Sequence, residues 1–472
     1  MTSGSEPVPA ADGLARPEGG GLAMTEGGAP AEVTGARAEV QSEVQAKVTG
    51  AQAEAPAEAA ESESESESEA VPLLVPRDGL PPLVVTADAL DAAARLLAAG
   101  HGPVAVDAER ASGFRYGHRA FLVQFRRRGA GTVLIDPVAC PDLSGIDRAL
   151  AGTEAVLHAA SQDLPCLAEI GYRPQWLFDT ELAGRLLGYP RVGLGTLVEA
   201  VLGLALEKSH SAADWSTRPL PDDWLLYAAL YVEVLVELRD ELAQQLEAQG
   251  KAEWARQEFA AVLAAGPAPP RTDPWRRTSG IHRVRSRRGL AVVRELWLER
   301  DRIARQRDLS PTRVLPDVAM IEAARSLPKG APDLGRIAGF NGRGARKYAS
   351  EWLRAVGRAR AEPEPALPES SAQAGDGPPP AHRWQERDPA AAARLTAVRA
   401  AIAALADEHG LPTENLVPPD AVRRLAWQPP DPVSPAAVSM NLASHGARAW
   451  QVDITATAIS GALLRVLEKA AD

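Results

Sequence analysis

Pro103-Val-Ala-Val-Asp-Ala-Glu109 is the stretch on which the reading of this chain turns. Alternate side chains of a strand point to opposite faces, so Val104 and Val106 share one face while Asp107 and Glu109 share the other. A second strand follows at Ala120-Phe-Leu-Val-Gln-Phe125. Gly129-Ala-Gly131 breaks the chain, and Thr132-Val-Leu-Ile135 is a third strand, ended by Asp136-Pro137. Two successive tight connections predict an antiparallel meander. Upstream, Val84-Val-Thr86 is a short β-type run, and Leu90 to Ala99 reads as a helix ending at Gly100. Downstream, Ala155-Val-Leu157 is another short strand. Asp163 to Ile170, Thr180 to Leu187 and Leu194 to Leu202 have helical spacing. Asp222 to Gln249 reads as one long helix, with Pro221 at its start and Gly250 after its end. The expected fold class is α/β with a mixed sheet.

Composition bounds the rest. The 472 residues allow two to three domains. Residues 1–70 hold 14 acids and 3 bases, a net of −11 that equals the formal charge of the whole chain, so the remainder is close to neutral. No aromatic residue precedes Phe114, and Glu61 to Glu69 alternate strictly with Ser. Residues 1–75 are therefore expected to be a disordered acidic tail, a solubilising segment whose protein partner, if it has one, is unnamed. Only Cys140 and Cys166 are present, which makes no disulfide framework and suits a reducing, cytoplasmic setting. No run of about 20 apolar residues and no basic-then-apolar leader is present, so neither a membrane nor export is expected.

The chemistry-bearing residues have bland alternatives when taken singly. Asp107 and Glu109 are either ligands for a hard divalent cation or a solvated pair on an edge face. Asp163, in His158-Ala-Ala-Ser-Gln-Asp163, is either a site carboxylate or a helix cap. Tyr227, in Trp224-Leu-Leu-Tyr227, either orients a water or fills the core.

Taken together, Val106-Asp107-Ala108-Glu109, then His158 to Asp163, then Tyr227 resemble the ribonuclease D branch of the DEDD exonuclease superfamily. Phe178-Asp-Thr-Glu181 and Asp214-Trp215-Ser-Thr-Arg218-Pro-Leu220, between the second and third motifs, carry the same resemblance, which spans roughly residues 80–360. It implies a ribonuclease H-like 3′–5′ exonuclease domain. It also implies two Mg²⁺ or Mn²⁺ ions, roughly 4 Å apart, that clamp the scissile phosphate. Asp107 would bridge both ions, Glu109 would hold the ion that activates water, Asp163 would help hold the other, and Tyr227 would align the attacking water. Nucleoside 5′-monophosphates would leave from an RNA 3′ end.

One position departs from this pattern. The family places an aspartate four residues after the tyrosine, and this chain has Tyr231. Glu233 is the nearest acid on the C-terminal side, but it lies about 200° around a helix from position 231. Loss of the fourth carboxylate is expected to weaken cation binding, since a phenol has an ordinary pKa of about 10.

After the nuclease stretch at 80–262 and a linker at 263–282, residues 283–360 carry 19 Lys and Arg against 8 Asp and Glu. This segment is expected to be a helical, phosphate-binding module, with Arg283, Arg285, Arg287 and Arg288 as the leading contacts because no acid lies near them in sequence. Its Leu290, Leu296, Arg300, Ile303, Pro311, Leu315-Pro-Asp317 and Ile337-Ala-Gly339 resemble the helicase and RNase D C-terminal domain. A second linker spans 361–388. Residues 389–472 form a C-terminal helical domain, for which a divergent second copy is one reading. Trp215 and Arg218 either contact nucleic acid or pin their loop, and Lys208 is equally undecided. The leading function is trimming of single-stranded RNA 3′ ends, such as those of tRNA precursors. A DNA exonuclease and a catalytically impaired RNA-binding protein are the alternatives.

Overall fold

The computed structural model describes residues 70–207, 210, 212–266, 271–370 and 377–471. The acidic tail expected over 1–75 lies outside these residues as far as position 69, as does Lys208. The end of that stretch is part of the fold: β1 (Val71–Leu73) runs parallel to a strand at Leu204–Leu206.

The central sheet has six strands. β2 (Leu83–Val84) is followed by β3 (His101–Arg110), β4 (Ala120–Arg128), β5 (Gly131–Ile135), β6 (Glu154–Leu157) and β7 (Trp176–Asp179); the Leu204–Leu206 strand is β8. The order across the sheet is β2-β5-β4-β3-β6-β7. β3, β4 and β5 form the expected antiparallel meander, and the flanking strands pair in parallel. Gly129 and Gly131 turn the β4–β5 hairpin at φ 81° and 74°, where a Cβ would be strained. Val104, Val106, Phe125, Val133 and Ile135 are buried in the large core that the sheet shares with the helices on one side. Leu122 and Leu134 face the other side, under the helix Asp222–Glu233.

The long helix expected over 222–249 is two helices, Asp222–Glu233 and Leu235–Ala248, interrupted at Val234. The first packs on β3, β4 and β5, and the second on the helices Thr180–Leu186 and Leu194–Leu202 and on β3 and β6. Two apolar faces with different neighbours give the two helices separate packing surfaces.

Both expected linkers are shorter than their sequence ranges. The helix Ala252–Ala264 fills the start of 263–282, and Trp275 is buried in the core of the following domain. Leu367 is buried in that same core and Trp384 in the next. The second domain is built on Arg287–Arg307, Asp317–Ser326 and Ala349–Ala361. The third is built on Pro389–His409, Pro419–Trp427, Pro435–Ser444 and Ala449–Ala471, and its core is continuous with that of the nuclease domain. Trp254 stacks on Trp450 at 4.8 Å, and Lys251 Nζ donates to the carbonyls of Leu186 and His409, both at 2.8 Å. Pro389–His409 is the one helix among the described residues long and apolar enough to cross a membrane. Its Leu395, Val398 and Ile402 are buried, as is Arg394, which donates to the Ala426 carbonyl.

Candidate active site

β3 is the middle of the site. Asp107 lies opposite Gln124, and Glu109 opposite Leu122, on β4. Paired residues of an antiparallel ladder share a face, so both carboxylates point to the side covered by Asp222–Glu233. Burial raises the pKa of Asp107, and burial together with Asp107 and Asp163 pushes that of Glu109 well above the ordinary range. Gln124 is fully buried, and neither its amide oxygen nor its nitrogen has a hydrogen-bond partner.

Asp163 arrives on a loop held by Asp179. The loop takes a left-handed turn at Ala159, φ 57° and ψ 49°, which is costly for a residue with a Cβ. Asp179 stabilises it by accepting from Ala159 N at 3.1 Å and Ala160 N at 2.8 Å, while also accepting from Glu181 N and Leu182 N as the cap of its own helix. Asp163 stands at the start of the helix Leu164–Glu169 but makes no capping bond, so the capping alternative is set aside. Its carboxylate instead faces Arg110, the last residue of β3, with Nη2 3.1 Å from Oδ1; Arg110 Nη1 donates to the Gln162 carbonyl at 2.6 Å. Burial, then repulsion from Asp107, raises Asp163 to about 8. His158, at the head of the loop, is within 2.9 Å of Thr180 Oγ1, and burial lowers its pKa to about 4.

Tyr227 and Tyr231 are one turn apart on the covering helix, with ring centroids 4.4 Å apart. Tyr227 packs in a core with Trp215 and Leu225, yet its hydroxyl also senses Glu109 and Asp107. Burial raises both phenols above their ordinary pKa, so they are protonated near neutral pH. Glu233 does not replace the missing acid: its carboxylate is buried elsewhere and accepts from Arg77 N.

Asp107, Glu109 and Asp163 are hard oxygen donors whose mutual repulsion a divalent cation would relieve, so the donor set fits such an ion. Among the described residues, however, no three acidic, His or Cys side chains are gathered closely enough to hold one ion together.

Most of the expected nucleic-acid contacts have partners within the fold. Trp215 is fully buried. Arg218 forms a bidentate pair with Asp136 at 2.8 and 2.7 Å and donates to three carbonyls, of Trp215, Thr217 and Phe121. Arg283 pairs with Glu322, Arg287 with Glu369, and Arg288 with Glu364. The expectation that these arginines lack acidic neighbours is thus corrected for three of them. The segment 362–369 folds back over the start of Arg287–Arg307, and Arg288 also donates to the carbonyls of Ala359, Arg360 and Glu362. Arg285 is exposed.

Arg110, Gln124 and Asp179 were not singled out as site residues by sequence reasoning. A polar residue inside the apolar run Phe121 to Phe125 was the available signal for Gln124, and the cap pattern Asp179-Thr-Glu181 for Asp179. The second domain also reaches the site's border, the β3–β4 loop. Ser310 N donates to the Phe114 carbonyl, Arg313 lies over the Phe114 ring, and Tyr116 donates to Asp301 at 2.9 Å.

Comparisons with known proteins agree with this layout. A family model described as 3′-5′ exonuclease matches residues 83–247, an HRDC domain model matches 289–356, and a model of a 3′ to 5′ exonuclease C-terminal domain matches 377–463. The chain is 32% identical over 339 residues to ribonuclease D of Gluconacetobacter diazotrophicus, covering 69% of this chain and 81% of that one. A solved protein from Bifidobacterium adolescentis superposes with a TM-score of 0.78 at 40% identity, covering 84% of this chain and all of that one. Escherichia coli RNase D, described as an exoribonuclease involved in structured RNA processing, superposes with a TM-score of 0.60 at 26% identity over 82% of this chain and 98% of that one.

Proposed function

The chain belongs to the ribonuclease D family of 3′–5′ exonucleases, and from that premise we propose that it hydrolyses single-stranded RNA 3′ ends, releasing nucleoside 5′-monophosphates, with Asp107, Glu109, Asp163 and Tyr227 as its catalytic residues. The observation that carries the reading is the burial of Asp107 and Glu109 on one strand face under the helix that bears Tyr227, with Asp163 near enough to raise the Glu109 pKa, in the motif order of the family. The family works with divalent metal ions; here Asp107 and Glu109, with Asp163 beside them, would hold Mg²⁺ or Mn²⁺. Such ions supply a Lewis acid for the phosphate and lower the pKa of a nearby water.

The chain's own residues do the positioning. Asp107 and Glu109 fix the charge on a rigid strand, where neither can move without moving the sheet. Asp163 closes the other side from a loop locked by Asp179. Tyr227, protonated, is a hydrogen-bond donor that orients the attacking water and cannot serve as the base. Water oxygen bonds to phosphorus, the bond to the 3′ oxygen of the preceding nucleotide breaks, and that oxygen takes up a proton. In this reading residues 283–360 and 389–472 hold the body of the RNA. A tRNA precursor is the substrate class we favour, as the E. coli neighbour is described as acting on structured RNA. The unpaired thiols of Cys140 and Cys166 suit a reducing cytoplasm.

A 5′-labelled RNA incubated with the full chain and Mn²⁺ is expected to shorten stepwise from its 3′ end, faster than the DNA of the same sequence. Asp107→Ala is expected to stop the shortening. Equal digestion by Asp107→Ala defeats the proposal.

A further inference from the structure

The site contains a cation of its own. Arg110 ends the strand that carries Asp107 and Glu109, and its guanidinium lies 3.1 Å from Asp163 Oδ1. The pair is sheltered: the side chain of Arg110 is 25% exposed and that of Asp163 is 7% exposed. A second bond, from Arg110 Nη1 to the Gln162 carbonyl, fixes the guanidinium against the same loop. Asp163 Oδ1 has no hydrogen-bond partner, and Asp163 caps no helix, so the guanidinium is its main company. At the same time Tyr231 stands where a fourth carboxylate is expected, and a phenol brings no charge near neutral pH.

Charge counting then has a definite result. Once a bound cation and the Arg110 guanidinium hold the acids ionised, Asp107, Glu109 and Asp163 contribute three negative charges and Arg110 one positive charge, which leaves two. One divalent cation neutralises that remainder. A second, placed beside Asp163, would stand against a guanidinium at close range in a partly buried setting, where like-charge repulsion is poorly screened. The arrangement of the acids agrees, since Asp107 and Glu109 share a strand face while, among the described residues, no three acids are grouped tightly enough to hold one ion.

Resting on the nuclease reading above, we propose that Arg110 stands in for one of the family's two cations, so that this chain takes a single divalent ion, at Asp107 and Glu109. Arg110 holds Asp163 in place and supplies a fixed positive charge on that side of the phosphate. The missing fourth acid is thereby matched by a built-in positive charge, and the centre keeps a balanced charge with one ion fewer.

The test counts ions and does not depend on turnover. Mn²⁺ binding to the full-length chain is followed by titration calorimetry and by the electron spin resonance of free Mn²⁺, and ions held elsewhere are subtracted using Asp107→Ala. One ion per chain is expected for the native protein. Two are expected for Arg110→Gln combined with Tyr231→Asp, and one again for Arg110→Lys, which keeps the charge. A native count of two, or of none, overturns the proposal, as does a count of one for the double variant when its circular dichroism matches the native chain. A chain that binds one Mn²⁺ yet leaves RNA intact defeats the nuclease reading while the ion count stands.

Discussion

Asp179→Ala tests how the loop that carries Asp163 is held. The carboxylate it removes accepts four backbone N–H groups, two of them from Ala159 and Ala160 on the left-handed turn. Leaving Ala159 N and Ala160 N unpaired costs about 1–3 kcal/mol each. Loss of the helix cap adds about 1 kcal/mol. Some of this is recovered as the loop relaxes, so a local loss of about 4 kcal/mol is expected. The loop has a second reason to move, because Ala159 is strained in the left-handed region. Asp163 is then displaced, and a shift of about 1 Å at a catalytic group lowers turnover roughly 100-fold. Asp179→Asn, which keeps one acceptor oxygen, should lose less on both counts. Amide hydrogen exchange at residues 157–164 reads the local term, and digestion of labelled RNA reads the turnover. Protection at Ala159 and Ala160 unchanged from the native chain would refute this reasoning.

Three further outcomes are expected. Gly188 sits at φ 84°, and a Cβ there would lie 2.3 Å from the Gly410 carbonyl oxygen, so Gly188→Ala should loosen the third domain and speed proteolytic cutting within 361–388; unchanged cutting counts against that packing. Gln124→Met removes two buried unpartnered polar atoms at similar volume, and the urea midpoint should rise by the equivalent of about 1 kcal/mol while RNA digestion slows; a lower midpoint refutes it. His158 is held neutral by burial, with a folded pKa of about 4 against an ordinary 6.5. Its contribution is full above pH 6.5 and is lost as the pH falls toward 4, because the unfolded chain takes up the proton first, a change on the order of 3 kcal/mol. Urea midpoints measured from pH 7 to 4.5 should therefore fall more steeply for the native chain than for His158→Gln, and parallel slopes sink the idea.

The pattern of alternation around Asp107 and Glu109 was enough to place both acids on one strand face, and the glycines at 129 and 131 were enough to place the hairpin. These are local properties: side-chain period and backbone freedom are written into a few neighbouring residues. The motif order from Asp107 through Asp163 to Tyr227 was legible only through its resemblance to the DEDD exonucleases, since each residue taken singly had a bland alternative. Charge partnership was not. Arg283, Arg287 and Arg288 have no acids near them in sequence, yet Glu322, Glu364 and Glu369 meet them in space. Arg218 likewise finds Asp136, 82 positions away.

The chain's sequence by itself determined the strand that bears the acids, the meander, the succession of nuclease and helical segments, and the absence of an aspartate at 231. Only the tertiary structure decided that Asp163 caps no helix, that the helix after Pro221 divides at Val234, which arginines meet acids far away in sequence, and that Arg110 stands within 3.1 Å of the Asp163 carboxylate. Strand period is set by covalent geometry over a few residues, whereas an ion pair depends on distances between segments far apart in sequence, which exist only once the core has closed around them.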